Sequence, residues 1–459
     1  MNFPRSIAGF ALIVLSQVAL GQQIGTEISE VHPSLTMQFC TKITEVLDTV
    51  DRENDEEVNR CENEESSIVL DADWRAVNAV GTSDACYTNG KWNPEFCSTP
   101  EACAKNCGLE GADYKGTHSI TTKGKEIKMK LQTPGGVGTR VYMLDASGKK
   151  YKQFNLLNKE FTFDVDVSSL PCGSNAALYF TKMDPDGGTS RFPTNRAGAA
   201  YGTGYCNAQC PKDVKFINGE ANLKQTYGSC CSTVAVWEAN SMATSYSTHA
   251  CSIKDQHRCL TDADCGAANG TMAGMGWCDK PGCGYNQFRM GNTMNYGPGD
   301  KFDIDTTKPF TVVTQFLTRD GSDTGELVEI RRIFKQFDKI FEKTPVSPLP
   351  ELNGASSISD TFCKASKALF GEDLADRGGL KKIGKEMAGG MTLAMSISVD
   401  YESNMEWLDS YTGDDPTIPG AKRGPCPKPG GEPDCVFAES PNAAVKFFNL
   451  RWGAHWTTI

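Results

Sequence analysis

The chain of 459 residues holds 57 acidic and 46 basic side chains, a formal charge of −11, which argues against nucleic acid and anionic membranes as partners and suits a neutral polymer. Its 19 cysteines and five histidines lack the paired spacings of zinc sites. They read as disulfides of an oxidising compartment with one thiol left over, and neither a metal nor a cofactor is expected.

In chain order, Arg5, an apolar run over 7–17 and Ala19-Leu20-Gly21 read as a secretory signal peptide, residues 1–21, too short to span a membrane. The mature protein is then expected to start at Gln22 and to be extracellular. The stretch TKITEVLDTVDRENDEEVNRCENEE (41–65) is strongly acidic. A short helix at 42–50 is conceivable, and a solvated surface excursion closed by Cys40 and Cys61 is the preferred reading. Strand-like runs follow at 66–77, 127–134, 139–145, 160–168 and 176–184, then at 232–238, 310–318, 326–336, 392–403 and 444–452. EFTFDVDVS (160–168) alternates, which predicts one buried and one wet face. Helical periodicity is confined to 362–371 and 379–390. Gly-, Pro- and Cys-rich loops separate the runs, and no tether or repeat divides the chain. The expectation is a single all-β domain over 22–459: two packed antiparallel sheets in a jelly-roll-like, concanavalin A-like sandwich with long disulfide-locked loops and a concave face offering a groove.

The segments LDADWR, GADYKGTHSITT, FTFDVDVSSLPCGSNAALYF, KFINGEAN, VWEANS, TVVTQF, EIRR and WLDS occur in an order that resembles glycoside hydrolase family 7, the cellobiohydrolases and endoglucanases of β-1,4-glucans. The resemblance runs from Gln22 to about Lys446. It implies nine disulfides: Cys40–Cys61, Cys86–Cys107, Cys97–Cys103, Cys172–Cys426, Cys206–Cys231, Cys210–Cys230, Cys251–Cys278, Cys259–Cys265 and Cys283–Cys363. Cys435 is left unpaired.

The family's active strand reads Glu-x-Asp-x-x-Glu. Retention of configuration needs two carboxyls about 5–5.5 Å apart, one to attack and one to protonate the leaving oxygen. Residues i and i+2 of a strand share a face, and the third acid, an odd number of positions further on, needs a bulge to turn it back. In STVAVWEANS the nucleophile position is Thr233, the assisting position is Ala235, and only the acid/base position keeps its residue, Glu238. His249 falls on the family's active-site histidine. Thr233 is a poor nucleophile without a base, and loss of a catalytic carboxylate costs on the order of 10⁴–10⁶ in rate. Glu238 is as readily a residue kept for the fold as a proton donor.

Of the family's four sugar-stacking tryptophans, Trp74 and Trp407 match, while Ala76 and Ser398 replace the others. Trp237 reads as core. Asn175, Tyr179, Gln209, Arg289 and Arg423 match polar sugar contacts, whereas Asn207, Pro281, Gly284 and Val399 stand where the family has acids. The segment 221–231 is shorter than its cellobiohydrolase counterpart, which predicts an open cleft. Asn269-Gly270-Thr271 is a glycosylation sequon, and no separate cellulose-binding module is expected. Three readings remain: an inactive or impaired relative that binds β-1,4-glucan or its oligosaccharides as a monomer, a β-1,4-glucanase pairing Glu238 with a non-standard second group, and a structural wall or matrix protein.

Overall fold

The structure, a computed structural model, describes residues 22–45, 56–266, 276–343, 347–372 and 376–459. The expected signal peptide and the Asn269 sequon lie outside them. Alternating residues build the front sheet, of eight strands. Seven form its main path: β1 (Ser67–Leu70), β2 (Thr139–Leu144), β3 (Ser174–Thr181), β4 (Thr233–Ala239), β5 (Thr244–His249), β6 (Cys283–Asn286) and β7 (Met391–Val399), arranged in the order β6-β5-β4-β3-β7-β2-β1. A two-residue strand, Gln153–Phe154, adds to β7. All of these pairings are antiparallel.

Behind it lies a nine-stranded sheet. Its central strands are Leu327–Gln336, Phe310–Thr318, Lys159–Asp166 and Ala444–Ala454, paired in that order. The period of two decides what each strand buries. On β7, Met391, Leu393, Met395 and Ile397 enter the core while Ala394, Ser396 and Ser398 face outward over the front sheet. On β4 the core takes Val234, Val236, Trp237 and Ala239, so Trp237 is a core residue. Phe163, Phe310 and Phe334 of the rear sheet lie within about 6 Å of its ring, edge-on or tilted.

The two expected helices form at Asp360–Phe370 and Gly379–Ala388. The first is capped by Ser359, whose hydroxyl accepts from the Phe362 amide, and ends at left-handed Gly371. Gly384 of the second lies so close to Leu327 that a Cβ there would stand 2.8 Å from the leucine Cβ. All nine disulfides implied by the resemblance are formed, and Cys435 is free and exposed.

Two expectations are corrected. Residues 42–45 belong to a strand, Met37–Glu45, which forms a hairpin with Glu56–Glu64. The Cys40–Cys61 pair stands directly across it, and Gln38, Phe39 and Cys40 also pair in parallel with the rear-sheet strand Ala444–Ala454. The helical option thus fails at 42–45, its remainder at 46–50 lies outside the described residues, and the preferred excursion closed by Cys40 and Cys61 fits the hairpin. The wet face of 160–168 is also partly dry. Glu160 and Thr162 are buried because the chain end folds over them. Glu160 accepts from the Thr457 and Thr458 amides at 3.1 and 3.0 Å, the Thr458 hydroxyl at 2.7 Å and the Gln315 amide at 2.9 Å.

Candidate functional site

The outward residues of β2, β3, β4, β5 and β7 floor a groove whose two halves meet at Gln209, Glu238 and His249. One half, about 240 Å³, runs towards Trp74, and the other, about 700 Å³, towards Trp407. Trp74 closes a 3₁₀ turn, Ala72–Trp74, capped by Asp71. The Arg140 guanidinium lies 5.0 Å from the Trp74 ring centre and 3.3 Å from that of Tyr205, a cation–π arrangement. Asp71 holds Arg140 at 2.7 Å and also accepts from the Tyr142 hydroxyl. At the other end the Trp407 indole N–H donates to Asp400 at 3.1 Å.

The strand β4 carries the expected bulge. Ala235 pairs with Tyr179 on one side and Ser247 on the other, but the next partner pairs are Trp237–Leu178 and Glu238–Ser245, which leaves Val236 extra. Val236 and Trp237 both turn inward, and Thr233, Ala235 and Glu238 all open on the groove. The Val236 carbonyl accepts from the Arg332 guanidinium, which reaches it from the rear sheet through the core. Burial depresses Arg332 to about 10, and the rings of Trp237, Tyr246 and Phe334 surround it at 4.6–5.7 Å.

Glu238 is pushed up to about 7 by burial, opposed by a hydrogen bond from the Asn175 side chain. Asn175 is itself fixed, its carbonyl accepting from the Ala239 amide at 3.0 Å. Among the described residues no charged side chain contributes to this shift. A second carboxylate at catalytic separation would raise the value through like-charge repulsion. The other acids lining the groove are Glu372, Asp400 and Glu402, all in the Trp407 half. Thr233 Oγ1 accepts from the Ala208 amide at 3.1 Å and lies 3.4 Å from the Cys231 carbonyl. His249, the cross-strand partner of Thr233, points its ring elsewhere: Nδ1 lies 3.2 and 3.0 Å from the Asp279 and Lys280 carbonyls, and Nε2 2.9 Å from the Ser247 hydroxyl. Burial lowers its basicity.

The remaining expected residues all line the groove, with side chains partly engaged. Tyr179 shares a 3.0 Å hydrogen bond with Tyr205, and the Gln209 amide donates to the Lys280 carbonyl at 2.8 Å. Arg289 and Arg423 are both held by the Glu372 carboxylate, the second at 3.2 Å. Ser398, Asn207, Pro281 and Gly284 also face the groove. No residue of 221–231 lines it. That segment folds down, with Gly228–Cys230 paired to His257–Cys259 and the Asn222 amide holding the Lys212 and Tyr227 carbonyls. The sequence reading missed Arg140, Tyr205, Ser247 and Glu372. Arg140 was findable, as the outward position of the alternating run TRVYMLD. Ser247 lies two residues before His249 on the same strand face, whereas Tyr205 and Glu372 depend on contacts distant in sequence.

A family model, glycosyl hydrolase family 7, matches residues 24–459. The chain belongs to glycosyl hydrolase family 7. Among solved structures, this family 7 chain is similar to a cellobiohydrolase of that family from Daphnia pulex, at 40% identity and TM-score 0.88 over 95% of this chain and 100% of that one. It also resembles the Humicola insolens endocellulase EGI, at 36% and 0.79 over 95% and 100%. A third is a Melanocarpus albomyces cellobiohydrolase complexed with cellotetraose, at 35% and 0.84 over 95% and 99%. The family 7 jelly roll is therefore built here around a strand, Thr233–Ala239, whose one acid is Glu238.

Proposed function

We propose that this family 7 protein is a secreted, monomeric single-domain binder of β-1,4-glucan chains that does not cleave them by double displacement. One observation carries the reading. Thr233 and Ala235 face the groove where an attacking acid and its helper are needed, and among the described residues no acid acts on Glu238 strongly enough to contribute to its raised pKa. A protonated Glu238 can still donate to a leaving oxygen, but no group captures the developing cation at the anomeric carbon. Binding is supported by Trp74 and Trp407, an indole held at each end of the groove, and by relatives that are cellulases, one of them complexed with cellotetraose.

The decisive experiment is hydrolysis of soluble cello-oligosaccharides, expected to be undetectable or very weak. Ordinary turnover, lost in Glu238→Gln, would overturn the reading. Azide or formate added with an activated aryl cellobioside should restore measurable release by filling the space at 233 and 235. Thr233→Glu with Ala235→Asp should recover part of the rate, limited by Ala76 and Ser398 where rings are missing. Titration calorimetry should detect weak cello-oligosaccharide binding that Trp74→Ala or Trp407→Ala reduces. No heat at all would favour a purely structural role.

A further inference from the structure

The small residues on either side of Ser247 leave this largely buried hydroxyl facing the groove. Ser247 of β5 pairs with Ala235 on one side and Gly284 on the other. Neither neighbour has a side chain long enough to cover it, and a Cβ at 284 would already stand 3.5 Å from the Ser247 Cβ. Ser247 therefore opens on the Trp407 half of the groove. Its hydroxyl is 2.9 Å from His249 Nε2. The two carbonyls at 3.2 and 3.0 Å from Nδ1 can only accept, so Nδ1 carries the hydrogen and Nε2 offers its lone pair. The Ser247 O–H is thus the donor to a neutral imidazole, and burial favours that neutral form. The loop bearing both carbonyls is pinned in turn, since the Asp279 carboxylate accepts from buried Lys367 at 3.0 and 3.1 Å. The Thr233 hydroxyl, by contrast, hydrogen-bonds to the Ala208 amide and the Cys231 carbonyl.

We infer that Ser247 and His249 form a nucleophile–base pair for acyl transfer, taking carboxylic esters, O-acetyl groups on a glycan in the groove, as substrate. The substrate class rests on the saccharide groove proposed above, whereas the Ser247 chemistry does not. Ser247 Oγ bonds to the ester carbonyl carbon as its proton passes to His249 Nε2. The bond from that carbon to the sugar oxygen then breaks, and His249 returns the proton to the departing oxygen. Water attacks the acyl-serine, again through His249, releasing the carboxylic acid and restoring the hydroxyl. One water is consumed and nothing is oxidised or reduced. Glu238, in the same groove, can donate a hydrogen bond to the oxyanion while protonated.

The test uses the full disulfide-bonded chain with a fluorophosphonate probe and with p-nitrophenyl acetate. Peptide mass spectrometry is expected to find the phosphonyl group on Ser247. Ser247→Ala, which removes one oxygen, should abolish labelling and lower ester hydrolysis by about 10²-fold or more. His249→Gln should do the same while Ser247 stays in place. An unlabelled wild-type Ser247, or p-nitrophenyl acetate hydrolysis unchanged in Ser247→Ala, overturns the pair. If both hold but acetylated cello-oligosaccharides release no acetate, the substrate class is overturned. Calorimetry on the non-acetylated oligosaccharides then tells whether the saccharide groove fails with it.

Discussion

Glu238 keeps its proton some way above the ordinary carboxyl range, and this has a cost that pH reveals. Its value is about 7 in the folded protein against 4.5 for an unperturbed glutamate. Between those limits the folded chain holds a proton that the unfolded chain has released, so stability is full below about 4.5 and falls as pH rises to about 7. The swing for this one group is on the order of 3 kcal/mol. Glu238→Gln should therefore gain on the wild type progressively across that window in urea unfolding, and the gap should level off above it. Asp73 and Asp409, raised by burial to about 7 and about 6, add slopes of the same sign that both proteins share. A pH-independent gap would mean that water reaches the Glu238 carboxyl. Elsewhere, the buried Glu160 side chain accepts from four donors. Glu160→Ala strands those donors and should cost about 3–5 kcal/mol by the same measurement.

At the scale of the strand, chemistry depends on parity. Regular alternation after Ala235 would send Glu238 into the core beside Val236, and the extra residue returns it to the groove. The need for a bulge followed from the spacing that the family resemblance assigns to 233, 235 and 238, while both helices and most strand limits were legible because periodicity is a local signal. What holds the bulge was not legible. Arg332 sits in EIRR, a run that reads as an ordinary strand, yet it is 1% exposed and donates to the Val236 carbonyl. Arg332→Met should cost about 2–4 kcal/mol, from an orphaned carbonyl and lost packing, and a crystal structure of the variant should show the β4 register altered around Val236. Glu160 was misread, and the helical option at 42–45 failed, for a related reason. The C-terminal segment covers one and pairs beside the other, and sequence pattern alone does not report partners hundreds of residues away.

Across the whole molecule, disulfides tie long groove-bearing loops to a sandwich that is otherwise stabilised by apolar layers. Cys172–Cys426 closes a separation of 254 residues. Replacing both cysteines by alanine should lower stability by up to about 5 kcal/mol on loop-entropy grounds, read as a shift in the denaturant midpoint. The cysteine pairing was legible only through family resemblance, because nine bridges among 19 cysteines are not deducible from spacing. The Arg332 tether joins the rear sheet to the front-sheet strand that carries Glu238, so that a saccharide bound as proposed above should be felt on the other side. A chain settling over Glu238 should slow amide hydrogen exchange along Leu327–Gln336, a strand that no sugar touches, and cutting the tether should silence that echo.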